Sequence, residues 1–123
     1  MRRLELQTEK MLAHVEDGVG WITFNQPAKR NAVSLAMWQA VPRIIDDFAS
    51  ADDVRVVVMT GAGDKAFVSG ADISEFEELR STTEQIEFYD AATSASSAAL
   101  HSLEKPLIAM IRGFCVGGGM AIA

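Results

Sequence analysis

The stretch Arg112–Ala123, R-G-F-C-V-G-G-G-M-A-I-A, joins an apolar, strand-like run, Leu107 to Ile111, to small helix-forming residues, Met120 to Ala123, through a loop that holds four glycines. The consecutive glycines Gly117, Gly118 and Gly119 let the backbone approach a ligand with no Cβ in the way. They also leave the first amides of the following helix without partners, where the partial positive charge of a helix start favours an anion. A phosphate-binding P-loop would need Gly-Lys-Ser/Thr here, and Met120 and Ala121 follow the glycines instead. A dinucleotide fingerprint needs G-x-G-x-x-G, a spacing that Gly113, Gly117, Gly118 and Gly119 do not give. Two readings remain. One is a cradle for a developing oxyanion, which needs a second donor; the other is a tight strand-to-helix turn whose glycines serve packing alone.

A second donor is offered by Lys65–Phe76, K-A-F-V-S-G-A-D-I-S-E-F. Ala66 to Val68 reads as a short strand, and Asp72 followed three residues later by Glu75 reads as a capping box opening a helix. Gly70-Ala71 therefore lies at a strand-to-helix turn, where the Ala71 amide can face a pocket while Asp72 caps the helix behind it. Asp72 as a cap and nothing more is the plain alternative. Glu75, Glu77 and Glu78 read as charges that complement a helix start.

Outward from these stretches, Met11–Phe24 has the pattern of a β-hairpin turning at Glu16-Asp17-Gly18. Asn25 to Arg30 is a loop broken by Pro27. In it Lys29 and Arg30 are either a solvated pair or a clamp on a ligand's phosphates. Ser34 caps a helix to about Ala49, with Leu35, Trp38, Val41, Ile45 and Phe48 at helical spacing. Pro42 should kink that helix or end its first part. Val54–Thr60 reads as a strand covered on both faces, closed by Gly61-Ala62-Gly63-Asp64. A long helix from Thr83 to Leu103 presents a face of small residues that permits close approach of another element, and Lys105-Pro106 ends it. The β-β-α repetition implies an α/β fold.

Composition narrows the function classes. The 123 residues suit one domain, and with 49% apolar residues they can form a core. A net charge of -6 with no basic run argues against a nucleic-acid surface. A single cysteine rules out an internal disulfide framework and fits a reducing compartment. Neither a membrane-spanning run nor a signal-peptide core is visible, so a soluble cytoplasmic location is expected.

Four segments in order and spacing carry a resemblance: N-Q-P-A-K-R-N-A (Asn25–Ala32), V-R-V-V-V-M-T-G (Val54–Gly61), K-A-F-V-S-G-A-D-I (Lys65–Ile73) and K-P-L-I-A-M-I-R-G-F-C-V-G-G-G (Lys105–Gly119). With them the chain, from about Met11 onward, is identified as a member of the enoyl-CoA hydratase/isomerase (crotonase) superfamily. The resemblance implies the crotonase-like superhelix of repeated β-β-α units, with residues 1–123 as the N-terminal portion of one domain whose C-terminal half lies outside this chain. It implies a site where two backbone amides, matching Ala71 and Gly118, bind the thioester carbonyl of an acyl-CoA and stabilise its enolate. The loop Lys29-Arg30-Asn31-Ala32 matches the family's coenzyme A contact, with Lys29, Arg30 and Ala32 as the contacting residues. The turn Gly70, Ala71, Asp72, Ile73 and Ser74 matches the path of the CoA and pantetheine. No separate cofactor and no metal are implied, and the full-length form is expected to be a homotrimer or hexamer.

Two departures qualify the expected chemistry. Where family hydratases carry a catalytic glutamate two residues after the glycine triplet, this chain has Ala121, which can neither accept nor donate a proton. The family's second acidic residue would lie beyond Ala123, and the sequence stops there inside an apparent helix without a cap, so the end reads as a truncation of the fold. Three functions follow as expectations: an enoyl-CoA hydratase or isomerase represented by its N-terminal half; a non-catalytic acyl-CoA-binding partner; and cysteine nucleophile chemistry at Cys115. The last has only His14 and His101 as candidate bases, and a small buried residue in the loop is the simpler account. Glu75, Glu78 and Asp90 read as solvated helix charges, not as acids or bases.

Overall fold

The computed structural model describes every residue from Met1 to Ala123. The hairpin forms as its pattern requires: β2 (Met11–Glu16) and β3 (Val19–Phe24) pair antiparallel. Their two-residue turn has positive φ at both Asp17 and Gly18, the geometry that matches strand twist. A short strand that the sequence pattern does not announce, β1 (Arg2–Arg3), adds to the edge of β2. Arg2 explains it, because its guanidinium bridges Asp47 at 3.0 Å and Asp53 at 2.9 Å and so ties the N-terminus to the opposite layer.

Helix α1 (Leu35–Ser50) starts at Ser34, whose hydroxyl accepts from the Met37 amide. It continues through Pro42, so the proline does not end its first part. Pro42 removes one ladder donor, and the buried stripe of Met37, Trp38, Val41, Ile44, Ile45 and Phe48 holds the helix through that loss. Next come β4 (Val56–Gly61), β5 (Ala66–Val68), a 3-10 turn at Ile73–Glu75 and the short α2 (Phe76–Leu79). The chain continues with α3 (Thr83–Ser102), β6 (Leu107–Met110), β7 (Phe114–Cys115) and α4 (Gly118–Ile122).

The main sheet has the order β1-β2-β3-β4-β6, antiparallel through the hairpin and parallel from β3 onward. Its inner face carries Ala13, Ile22 and Met59 in one register row, packed with the α1 stripe. Gly20 belongs to that face because the Phe48 ring lies where a Cβ would stand. The outer face is less covered than expected for β4. His14, Trp21, Val58 and Ile108 align across four strands, with His14 and Trp21 stacked at 6.2 Å and Ile108 exposed. The small-residue face of α3 lies on α1, as anticipated, burying Tyr89 and Ser96. No helix is long and apolar enough to cross a membrane.

Candidate functional site

Strands β5 and β7 form a separate two-stranded sheet and run parallel, with Ala66 opposite Phe114 and Val68 opposite Cys115. Parallel pairing puts both C-terminal ends on one side, so the turn Ser69–Asp72 and the loop Val116–Gly118 emerge next to each other. A methyl group built on Gly118 would sit 3.8 Å from the Ala71 nitrogen and 3.7 Å from the Gly70 Cα. The two glycine-bearing turns singled out in the sequence are thus one place in the structure.

Both amides are without acceptors there. The Gly70 carbonyl takes a 2.8 Å hydrogen bond from the Val33 amide, and the Asp72 amide gives a 2.9 Å bond to the Val33 carbonyl. In a trans peptide the carbonyl and the next N–H point in opposite directions, so the Ala71 N–H is turned away from Val33, and it bonds to nothing in the chain. The amide of Gly118 is likewise free, while that of Gly119 bonds the Val116 carbonyl at 2.9 Å. Gly70 holds φ +129 and Gly117 φ +53, conformations that a side chain would strain. At Gly119 a Cβ would overlap the Val68 carbonyl, which is how closely α4 must approach β5 to bring Gly118 forward.

The turn is anchored from behind. Asp72 is 3% exposed and its carboxylate accepts from the Ser74 amide at 3.1 Å, the Ser74 hydroxyl, Lys29 Nζ at 3.4 Å and Gln26 Nε2 at 3.3 Å. Burial opposes its ionisation, yet the bonds from Ser74 and Lys29 outweigh burial and hold its carboxyl below the ordinary carboxylate value. Asp72 is therefore a cap, of a 3-10 turn, but the expected capping box does not close. Glu75 turns instead to the first turn of α1, where Oε1 accepts from the Leu35 amide at 2.8 Å. Its charge complements a helix start, as read from the sequence, but the start of a different helix.

Lys29 and Arg30 separate in role. Lys29 is committed to Asp72 and to Ser74 Oγ at 2.9 Å. Arg30 has no carboxylate partner; its guanidinium lies 5.7 Å from the centroid of the exposed Phe114 ring. Ala32 is buried, its carbonyl held by Gln26 Nε2 at 2.6 Å, and Ile73 is 74% exposed beside the turn. The structure thus gathers Lys29, Ala32, Gly70, Ala71, Asp72, Ile73, Ser74 and Gly118 around one turn, with Arg30 at its edge.

Side-chain bonds that the sequence reading did not assign complete this frame. Asn31, fully buried at positive φ, accepts from the Gln26 amide and donates to the carbonyls of Ala62 and Ala66. An asparagine between a Pro-containing turn and a helix cap is the signal that could have revealed it. A cavity of about 300 Å³ opens beside Gly118, walled by Trp38, Thr93, Ser96, Leu100 and Ala121. Cys115 lies on β7, whereas His14 stacks on Trp21 in the main sheet and His101 lies in the last turn of α3.

Residues 19–123 match the family model described as enoyl-CoA hydratase/isomerase. The chain belongs to this family. It is 35% identical over 118 residues to the short-chain-enoyl-CoA hydratase of Clostridium acetobutylicum, covering 96% of this chain and 44% of that protein. Among solved structures, an enoyl-CoA hydratase/isomerase family protein from Hyphomonas neptunium superposes with TM-score 0.89 at 34% identity, over 97% of this chain and 45% of that one. An enoyl-CoA hydratase/carnithine racemase from Magnetospirillum magneticum gives TM-score 0.88 at 34% identity, over 95% and 44%. The fold is accordingly the N-terminal part of the crotonase fold, and the chain spans less than half the length of these relatives.

Proposed function

We propose that this chain, as the N-terminal portion of a single crotonase-like domain, binds an acyl-CoA thioester and stabilises its enolate between the amides of Ala71 and Gly118. The observation that carries the reading is the pair of unbonded N–H groups on neighbouring turns, with a methyl built on Gly118 lying 3.8 Å from the Ala71 nitrogen. A thioester oxygen accepting from both would gain most as its negative charge grows. Removal of one such donor typically costs about 3 kcal/mol of transition-state stabilisation. The turn Gly70–Ser74 would line the pantetheine path, Arg30 would meet the anionic end of the coenzyme, and Lys29 and Ala32 would shape that loop. Coenzyme A enters as part of the substrate, with no separate cofactor, and the whole assembly would be a cytoplasmic trimer or hexamer.

Ala121 lies in the cavity wall next to Gly118 and offers no proton acceptor. Hydration or double-bond isomerisation would therefore use an acid or base that this chain does not supply. That same observation favours a second reading, an acyl-CoA-binding family member without turnover. Run on the full-length form, an assay of hydration and isomerisation with crotonyl-CoA and but-3-enoyl-CoA, beside calorimetric titration of the same thioesters, separates the two. Binding with turnover supports the enzyme, and binding alone supports the second reading. Affinity for crotonyl-CoA no greater than for free coenzyme A contradicts both.

A further inference from the structure

Gln26 is buried at 9% exposure, and its backbone is pinned. Its own amide donates to Asn31 Oδ1 at 2.9 Å, and its carbonyl accepts from the amides of Lys29 at 2.9 Å and Asn31 at 2.8 Å. From that fixed point the side chain reaches two groups: Nε2 donates to the Ala32 carbonyl at 2.6 Å and to Asp72 Oδ2 at 3.3 Å. The side-chain amide can stand only this way round, since its oxygen in the same place would face a carbonyl and a carboxylate. Ala32 and Asp72 adjoin the bridge between Val33 and Ala71, in which the Val33 amide bonds the Gly70 carbonyl and the Asp72 amide bonds the Val33 carbonyl. One NH2 group thus ties together the two segments that turn the Ala71 N–H outward. Lys29 meets the same Asp72 oxygen at 3.4 Å from a half-exposed position, where solvent screens it. The buried link is Gln26.

On the thioester reading above, we infer that Gln26 is a positioning residue for the Ala71 amide, holding the first of the two donors at a fixed angle to the thioester oxygen. Donors stabilise a growing negative charge most when they are already aimed and need no reorientation. Without the Gln26 NH2 group, the Ala32 carbonyl and the Asp72 carboxylate would face each other inside the protein, each short of a donor, which buried acceptors resist. The two segments would draw apart, and the Ala71 N–H would lose its aim. The loop that carries Lys29 and Arg30 is held by backbone bonds to Gln26 and Pro27, which a side-chain substitution retains. The effect should therefore fall on the thioester and spare coenzyme A itself.

The test uses the full-length form with Gln26→Met, which removes both donated bonds at similar side-chain length, and Gln26→Asn, which keeps the NH2 group but withdraws it by one methylene. In Gln26→Met the affinity advantage of crotonyl-CoA over free coenzyme A should fall by about fivefold, with coenzyme A affinity within about twofold of the parent. Isotope-edited infrared difference spectra of crotonyl-CoA carrying 13C at the thioester carbonyl should show a smaller downshift of that band on binding than in the parent. Hydrogen exchange of the segment containing Ala71 and Asp72 should quicken without any ligand, while that of the β2–β3 hairpin stays unchanged. Gln26→Asn should move all three readouts in the same direction, and it decides the matter should Gln26→Met fail to fold. A parent-like carbonyl band in a folded variant overturns the inference even if exchange quickens, because Gln26 would then brace the loop without aiming the amide. No carbonyl downshift in the parent overturns the thioester reading, and the inference with it.

Discussion

At Gly118 a methyl group would rest against Gly70 and Ala71 at 3.7 to 3.9 Å, ordinary contact distances, and in the space a bound oxygen would need. Gly118→Ala should therefore fold with a melting temperature close to that of the parent, yet lose at least about tenfold in crotonyl-CoA affinity by titration. Gly119→Ala is the contrasting case, because its methyl overlaps the Val68 carbonyl; overpacking of this kind should cost about 1 to 3 kcal/mol in urea unfolding. This difference between adjacent glycines was not legible in the letters. The triplet showed that backbone had to come close to something, but which glycine faces β5 and which faces the pocket depends on the parallel pairing of β5 and β7. Asp72 was legible as a cap, since a short acid before a helical pattern has few other uses. Its bonds to Gln26 and Lys29 were not, because they join residues more than forty positions apart.

Among the elements, the turn Gly70–Ser74 bonds to Val33, just before α1, and the adjoining Glu75 bonds to Leu35 at its start, so the turn's stability should follow the charges behind it. Asp72 has a folded-state pKa below its ordinary value of 3.8. Its contribution is accordingly present above that value and lost as pH falls through the lower, folded one. Hydrogen exchange at the Ser74 amide should accelerate relative to the rest of the chain as pH falls below the ordinary carboxylate value, and Asp72→Asn should abolish that step. Glu75→Ala leaves the Leu35 amide without its acceptor and should lower stability by about 1 kcal/mol in urea unfolding, with Glu75→Gln intermediate. The sequence pattern located the hairpin, α1, β5, α3 and β6 because their apolar spacing and turn residues are local signals. Of the two outcomes expected at Pro42, a kink or an end, the end does not occur, since seven buried residues along α1 outweigh one missing donor. The pattern missed β1, whose cause is the distant pair Asp47 and Asp53.

For the whole molecule, the inner face of the main sheet is covered by α1 and the outer face is not. Ile108 and Met110 on β6 are exposed, as are Phe114 and Val116 on the second sheet and its loop. Exposed apolar groups on an edge strand favour association. The 123-residue chain should therefore sediment as concentration-dependent assemblies at neutral pH, and Ile108→Lys should shift it toward the monomer. Equal sedimentation of the two proteins would show that this edge does not drive assembly. The family and fold were legible from about Met11 onward because four motifs stand in register. The cavity beside Ala121 was not, because its walls come from α1, α3, β6 and α4 together.

The claim that Ala71 and Gly118 receive a thioester oxygen is tested most directly by following their two backbone amides in a 15N-resolved NMR titration with crotonyl-CoA and, separately, with free coenzyme A. We expect both resonances to move downfield together with crotonyl-CoA and to stay in place with coenzyme A alone. Movement of neither amide, or the same movement with both ligands, would contradict the assignment of the site.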